Sequence, residues 1–223
     1  MAKTKDTEAI DASTEEKIKN AARTVFQKKG YAATRTRDIA EEAGINLALL
    51  NYYFRSKEKL FEIIMFETIQ DFIKDILSVY NDKNTNFEKK LEHWAVNYID
   101  MCIKNPNVPM FILSEVRNRP EDLLNKIPAR QLFTDSVFTM QFKEKVAAGE
   151  INEPNLLQFV INVIGLAIFP FIGQPFLSII GGLNNDQFYQ LMQERKKLIP
   201  VWIKKMFFTE KYQESNNFNE IYY

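Results

Sequence analysis

Along the first third of the chain, apolar residues return every three or four positions. Ile18, Ala22, Val25 and Phe26 fall on one stripe of an amphipathic helix. Ser13 or Thr14, followed by Glu15 and Glu16, reads as its N-cap and first turn, and Gly30 as its stop. Ile39, Ala40 and Ala43 mark a short second helix, with Thr36 as cap and Gly44 as break. A third runs from Leu47 to Phe54 behind Asn46. A fourth, long one follows the Ser56 cap and stays apolar on one side to about Tyr80. Helical spacing then recurs over 87–104, 108–119, 121–149, 154–172, a Pro/Gly-interrupted piece to Gly182, and 186–208. Alternating strand patterns and internal repeats are absent. The pattern predicts an all-α fold.

The third helix is the unusual one. In "GINLALLNYYFRSK" (44–57), Ile45 to Phe54 carry no charge and three aromatics stand in a row. Leu50 and Phe54, four apart, face a small core of Ile18, Val25, Phe26, Ile39 and Ala43. That leaves Leu47, Ala48, Leu49, Asn51, Tyr52 and Tyr53 on the open sides. Three helices with a sharp Gly before the third are the plan of a helix-turn-helix, whose last helix enters the major groove. Small and apolar side chains there suit thymine methyls. Tyr hydroxyls and the Asn51 amide suit phosphate oxygens, with Arg37 and Lys57 supplying charge. Thr36 at a helix start presents backbone N–H groups to a phosphate, and Asn46 joins the set at the start of the third helix. Charge agrees: residues 14–60 hold ten Lys/Arg against six acids in a chain of net charge zero. The excess of positive charge sits where a nucleic acid would lie.

Residues 14–64 resemble the N-terminal domain of TetR-type transcriptional repressors. The match includes T-x-x-I-A-x-x-A-G at 36–44, the aromatic-rich third helix and F-x-S-K at 54–57. The resemblance implies an all-helical homodimer with a C-terminal ligand-binding and dimerisation domain. It also implies DNA contacts at Thr36, Arg37, Asn51, Tyr52, Tyr53 and Lys57, with Leu47, Ala48 and Leu49 facing the bases. The chain departs from the family at Asn51, where many members carry Tyr, and at Leu47, where a polar residue is frequent. The last two long helices, 154–172 and 186–208, stand where the family builds its four-helix dimer bundle. The double-stranded operator is then expected to be palindromic, and the chain a ligand-responsive repressor.

The resulting division is a disordered lead-in (1–13), a helix-turn-helix domain (14–58), a helical body (59–208) and a tail (209–223). The aromatic-rich body suggests an apolar pocket between its middle helices for a small hydrophobic ligand. The candidate lining is His93, Tyr98, Phe111, Glu115, Phe138 and Phe142. Two rival readings remain. Pro154 to Asn185 carry no charge, long enough for a membrane anchor, although Gln158, Asn162, Gln174, Pro170 and Pro175 interrupt the run and no basic cluster flanks it. A catalytic pocket around His93 and Glu115 is the other, although nucleophile, phosphate-loop and metal-spaced motifs are all missing. No catalytic residue, cofactor or metal is therefore expected. Cys102 is the sole cysteine, which leaves no intramolecular disulfide. With no apolar leader in the first residues, the expected compartment is the cytoplasm and no membrane association is expected.

Overall fold

The computed structural model describes residues 2–127 and 129–210, with side chains from Asp11 onward except at positions 129 and 132. Within that range the chain is all-α, twelve helices with a single isolated bridge between Ile151 and Phe208. The head comprises α1 (Ala2–Ala33), α2 (Thr36–Ala43), α3 (Leu47–Tyr53) and the start of α4 (Lys57–Asn81). The body comprises the rest of α4, α5 (Phe87–Lys104), α6 (Val108–Asn118), α7 (Pro120–Lys126), α8 (Ala129–Thr134) and α9 (Val137–Ala147). It is completed by α10 (Leu156–Ile172), α11 (Gln174–Gly181) and α12 (Asn185–Phe207).

Three local readings need correction. Helix α1 starts at Ala2, so from there on the lead-in drawn over 1–13 is helical, and Ser13 and Thr14 lie inside the helix. A capping pattern is a cap only where the preceding chain leaves the helix, and nothing in the preceding sequence (no Pro, no Gly) forces that. Thr36 is the first helical residue of α2 rather than its cap. Arg35 holds that place in an extended conformation, and its backbone N–H donates to the Asp38 carboxylate at 2.9 Å. The single helix expected over 121–149 is three, α7 to α9. Its sequence contains a proline, which removes a helical donor and disfavours helix at the residue before it, and the Ser136 hydroxyl opens α9 by accepting from the Thr139 N–H at 3.1 Å. Gly30 does break α1 as read, at φ 73° and ψ 164°, a conformation open in practice to glycine alone.

The head core is the expected one: Ile18, Val25, Phe26, Ile39, Ala43, Leu50 and Phe54 are all buried. Helix α4 crosses the boundary drawn at residue 58 without a break. Its 25 residues span roughly 37 Å, burying Leu60 and Ile64 in the head and Ile76 and Tyr80 in the body. Lys19 donates to Glu67 at 2.8 Å, and Arg23 pairs with the same carboxylate, fastening α1 to α4. An aromatic chain continues the link. Phe26 meets Phe61 edge-on at 5.1 Å, and Phe111 of α6 meets both Phe61 and Phe66, at 6.0 and 5.2 Å. In the body, α5 packs against α4 and α12, with Phe138 stacked between Tyr80 and Phe87.

Helix α10 holds an interior proline, Pro170, which leaves the Leu166 carbonyl without its helical donor. The Arg195 guanidinium of α12 donates to that oxygen at 2.6 Å and lies 4.9 Å from the Trp202 ring centre. An uncharged run thus recruits its cation from the neighbouring helix. Arg195→Met is expected to lower stability by about 1 kcal/mol, since it removes the donor from a half-buried carbonyl that has lost its helical one. Urea unfolding at fixed protein concentration measures this, and an unchanged midpoint would show the bond to be incidental. No single helix among the described residues is long and apolar enough to cross a membrane; α10 and α11 together reach the length but meet at a 71° bend. The tail lies, from 211 onward, outside the described residues.

Candidate nucleic-acid interface and ligand cavity

Gly44, in the left-handed region at φ 62°, closes α2, and the Asn46 side chain opens α3 by accepting from the Leu49 N–H at 2.8 Å. Leu50 and Phe54 anchor one side of α3 in the head core, which fixes what the other side presents. Ala48, Leu49, Asn51 and Tyr52 are exposed, Tyr52 at 76%, while Leu47 and Tyr53 are half-buried. Six of the ten candidate DNA contacts thus form one surface on a single short helix. Thr36 and Arg37 sit on the first turn of α2, half-buried and exposed respectively.

Two candidates are already engaged. The Tyr53 hydroxyl donates to the Asp11 carboxylate of α1 at 2.7 Å, and that acceptor holds its pKa above the usual phenol range. The Lys57 ammonium donates to the backbone carbonyls of Tyr31 and Thr34, both at 3.0 Å, and stands 4.3 Å over the Tyr31 ring. It closes the C-terminal end of α1, where unpaired carbonyls attract a cation. Lys29 is paired with Asp38 at 3.2 Å. Exposed and without an ion pair among the described residues are Lys17, Lys28, Arg35, Arg37 and Arg55. Arg35 and Arg55 were not singled out from sequence; the positive excess over 14–60 was the available signal.

The body encloses a cavity of about 270 Å³. Its wall includes Ile69, Phe72 and Ile73 of α4, Trp94 and Tyr98 of α5, Ile112 and Val116 of α6, and Val163 and Ile164 of α10. No charged residue among the described ones lines it. Of the six candidates, Tyr98 and Phe138 line the cavity and four do not. Phe111 is packed on Phe61 and Phe66, and Phe142 on Phe87 and Phe159. His93 bonds Asp75 at 2.9 Å on the outer side of α5. Glu115 is buried on α6, accepting from Arg119 at 2.6 Å, and Arg119 also reaches Glu62 of α4 at 3.2 Å. His93 and Glu115 thus have separate partners on separate helices, and neither lines the cavity. The missed wall residues share their periodicity with ordinary core, so no sequence signal separated the two.

Comparison with known proteins agrees with this geometry. Residues 18–64 match the family described as bacterial regulatory proteins, tetR family. The chain is 31% identical over 214 residues to the HTH-type transcriptional repressor KstR2 of Mycolicibacterium smegmatis, covering 82% of this chain and 96% of that protein. Its fold is similar to a crystal structure of a TetR/AcrR-family transcriptional regulator from Thermobifida fusca, with TM-score 0.62 at 17% identity over 83% and 96% of the two chains. It is also similar to that of the regulator FadR from Bacillus subtilis in complex with stearoyl-CoA. There the TM-score is 0.54 at 18% identity, over 82% and 96%.

Proposed function

Because the chain belongs to the tetR family of bacterial regulatory proteins, we propose that this transcriptional regulator is a ligand-responsive repressor acting in the cytoplasm as a homodimer on a palindromic operator. The observation that carries the reading is the α3 face, apolar and uncharged at its centre and flanked by unpaired cations. Ala48, Leu49 and Tyr52 approach the base edges in the major groove, with Leu47 and Asn46 at the leading turn. Asn51, Thr36 and Arg37 meet phosphates, joined by Arg35 and Arg55. Tyr53 is held by Asp11 and reaches a phosphate after exchanging that partner. Lys57 acts through the α1 C-terminus, setting the turn from which Arg35 and Arg37 project.

Dimerisation is supported by α10, whose buried side (Phe159, Val163, Ala167) is opposed by an exposed apolar stripe of Leu157, Ile161 and Ile164. Tyr189 and Leu191 of α12 are further exposed apolar positions, on either flank of that helix's buried face. A patch of this kind on a water-soluble surface marks a partner site. Regulation is supported by the cavity. The FadR structure shows that a protein of this fold holds an acyl-CoA, and the relative named a repressor supports repression as the direction of regulation.

Selection of bound sequences from a random duplex pool tests the proposal. The expected product is an inverted repeat with half-sites roughly 34–36 Å apart or a multiple of that. On that operator, Arg37→Ala should weaken binding to all sequences alike and lower the salt slope by about one unit. Lys57→Ala should weaken binding and lower the melting temperature as well. A Lys57→Ala protein of unchanged melting temperature with a one-unit slope change would make Lys57 a direct phosphate contact. Failure to recover any enriched sequence would sink the operator reading.

A further inference from the structure

Resting on the DNA-interface reading above, we infer that Asp11 is a further residue of that interface. Its carboxylate stands in for a backbone phosphate on the Tyr53 hydroxyl and is displaced when α3 meets DNA. The first ground is placement. Helix α1 continues through Asp11 and Thr14, so these two, three residues apart, share one face of it. Both engage the same phenol: Tyr53 donates to the Asp11 carboxylate at 2.7 Å, and the Thr14 side chain is hydrogen-bonded to that hydroxyl as well. The helical lead-in therefore has a task, which is to bring an acceptor to the open side of the recognition helix.

The second ground is valence. A phenol has one proton to give, so Tyr53 cannot donate to Asp11 and to a phosphate oxygen at once. Two such acceptors on one hydroxyl would also bring two anions within roughly 6 Å, close enough to repel. The third is charge. Asp11 forms no ion pair among the described residues, and the hydrogen bond described for it is the one from Tyr53. Other acids of the head are matched by cations, Glu16 by Lys19 and Arg23, and Asp38 by Lys29. An unmatched acid on the one region of this chain with an excess of Lys and Arg lowers affinity for any polyanion. In return it fixes position. Pinned by its hydroxyl, Tyr53 meets Tyr52 edge-on at 5.3 Å, so Asp11 holds the ring pair in place while the groove is empty.

The test uses the full chain at one fixed salt concentration and two labelled duplexes, the selected operator and a random sequence of the same length. Asp11→Ala is expected to bind both roughly three- to tenfold more tightly than wild type, because the phenol is freed for a phosphate and an anion is removed. Asp11→Asn, which keeps an acceptor and loses the charge, should fall between the two. A double-mutant cycle isolates the contact itself. The affinity lost on changing Tyr53→Phe should be at least ~threefold larger in the Asp11→Ala background than in wild type. A residue that only supported the fold would weaken binding when truncated, so the direction of the change separates the two roles. Unchanged or weaker binding by Asp11→Ala, or a gain that does not depend on Tyr53, would overturn the inference; the latter would make Asp11 a distant repelling charge. The two duplexes separate this from the regulatory reading. If an operator is enriched but no Tyr53-dependent gain appears, that reading stands and the inference falls. If the gain appears on random duplex and no operator is enriched, the reverse holds.

Discussion

Replacing Ile161 by Glu is expected to leave the protein monomeric and to cost at least ~100-fold in affinity for the intact inverted-repeat operator. Ile161 is the middle of the exposed α10 stripe, 55% exposed in the isolated chain, with Leu157 and Ile164 one turn away on either side. In a two-fold bundle of α10 and α12, that position faces its own counterpart or its neighbours across the axis. A pair of carboxylates buried there is disfavoured by both desolvation and mutual repulsion. Once the subunits part, the second recognition helix no longer binds at the high effective concentration that the first provides, and gains of 10²–10⁴ from linkage disappear. Affinity for a single half-site should be retained, because the head core lies on other helices. Sedimentation together with gel shifts on whole and half operators measures both quantities. Met140→Glu, which places the same charge on an exposed apolar position of α9, should leave the dimer intact. A dimer that survives Ile161→Glu would place the interface elsewhere.

The head was legible in the sequence because its determinants are local. Gly30 and Gly44 break helices at the positions their backbone angles require, and the apolar stripe from Ile18 to Phe54 closes a core within one short stretch of chain. What escaped depends on distant partners. Lys57 reads as a basic residue at the exit of a recognition helix. Its acceptors, the Tyr31 and Thr34 carbonyls, belong to a helix end 23 to 26 residues earlier. Tyr53 and Asp11 are further apart still, 42 residues. The cavity was half legible for a different reason. Aromatic richness announced an apolar pocket, yet Phe111 and Phe142 fill core while Ile73 and Val163 line space, and all four obey the same helical spacing. Polarity misled for His93 and Glu115, because a polar side chain bonded to another side chain and one that contacts a ligand are the same residue types in the sequence. The uncharged stretch from residue 154 to 185 was ambiguous in the sequence because the cation that serves it, Arg195 on the Leu166 carbonyl, belongs to the next helix.

Ile73→Trp should abolish the ligand response while leaving operator binding in the absence of ligand intact. Ile73 lines the cavity from α4, and an indole there occupies the space the ligand needs. The same helix begins beside the recognition helix. The first cavity-lining positions, Ile69 to Ile73, lie roughly 18–24 Å along its axis from Lys57. A second route converges on it. Helix α6 presents Ile112 and Val116 to the cavity and Phe111 to Phe61 and Phe66 of α4, while Arg119 at its end joins Glu115 to Glu62. A molecule that packs better against one placing of α6 and α4 shifts the population toward it, and the head moves with α4 because Lys19 and Arg23 tie α1 to Glu67. A coupling of about 1–3 kcal/mol corresponds to a 5- to 150-fold loss of operator affinity when the wild-type cavity fills. Linkage requires the operator to weaken the ligand by that same factor, which gives two independent measurements of one quantity. In Ile73→Trp both ratios should fall to about one, with the operator affinity of the empty protein unchanged. If the empty variant instead binds the operator as weakly as the filled wild type, the indole itself drives the switch, and α4 senses occupancy of any kind. Equal operator affinity in the wild type with and without a bound cavity ligand would leave the body a dimerisation module with no regulatory role.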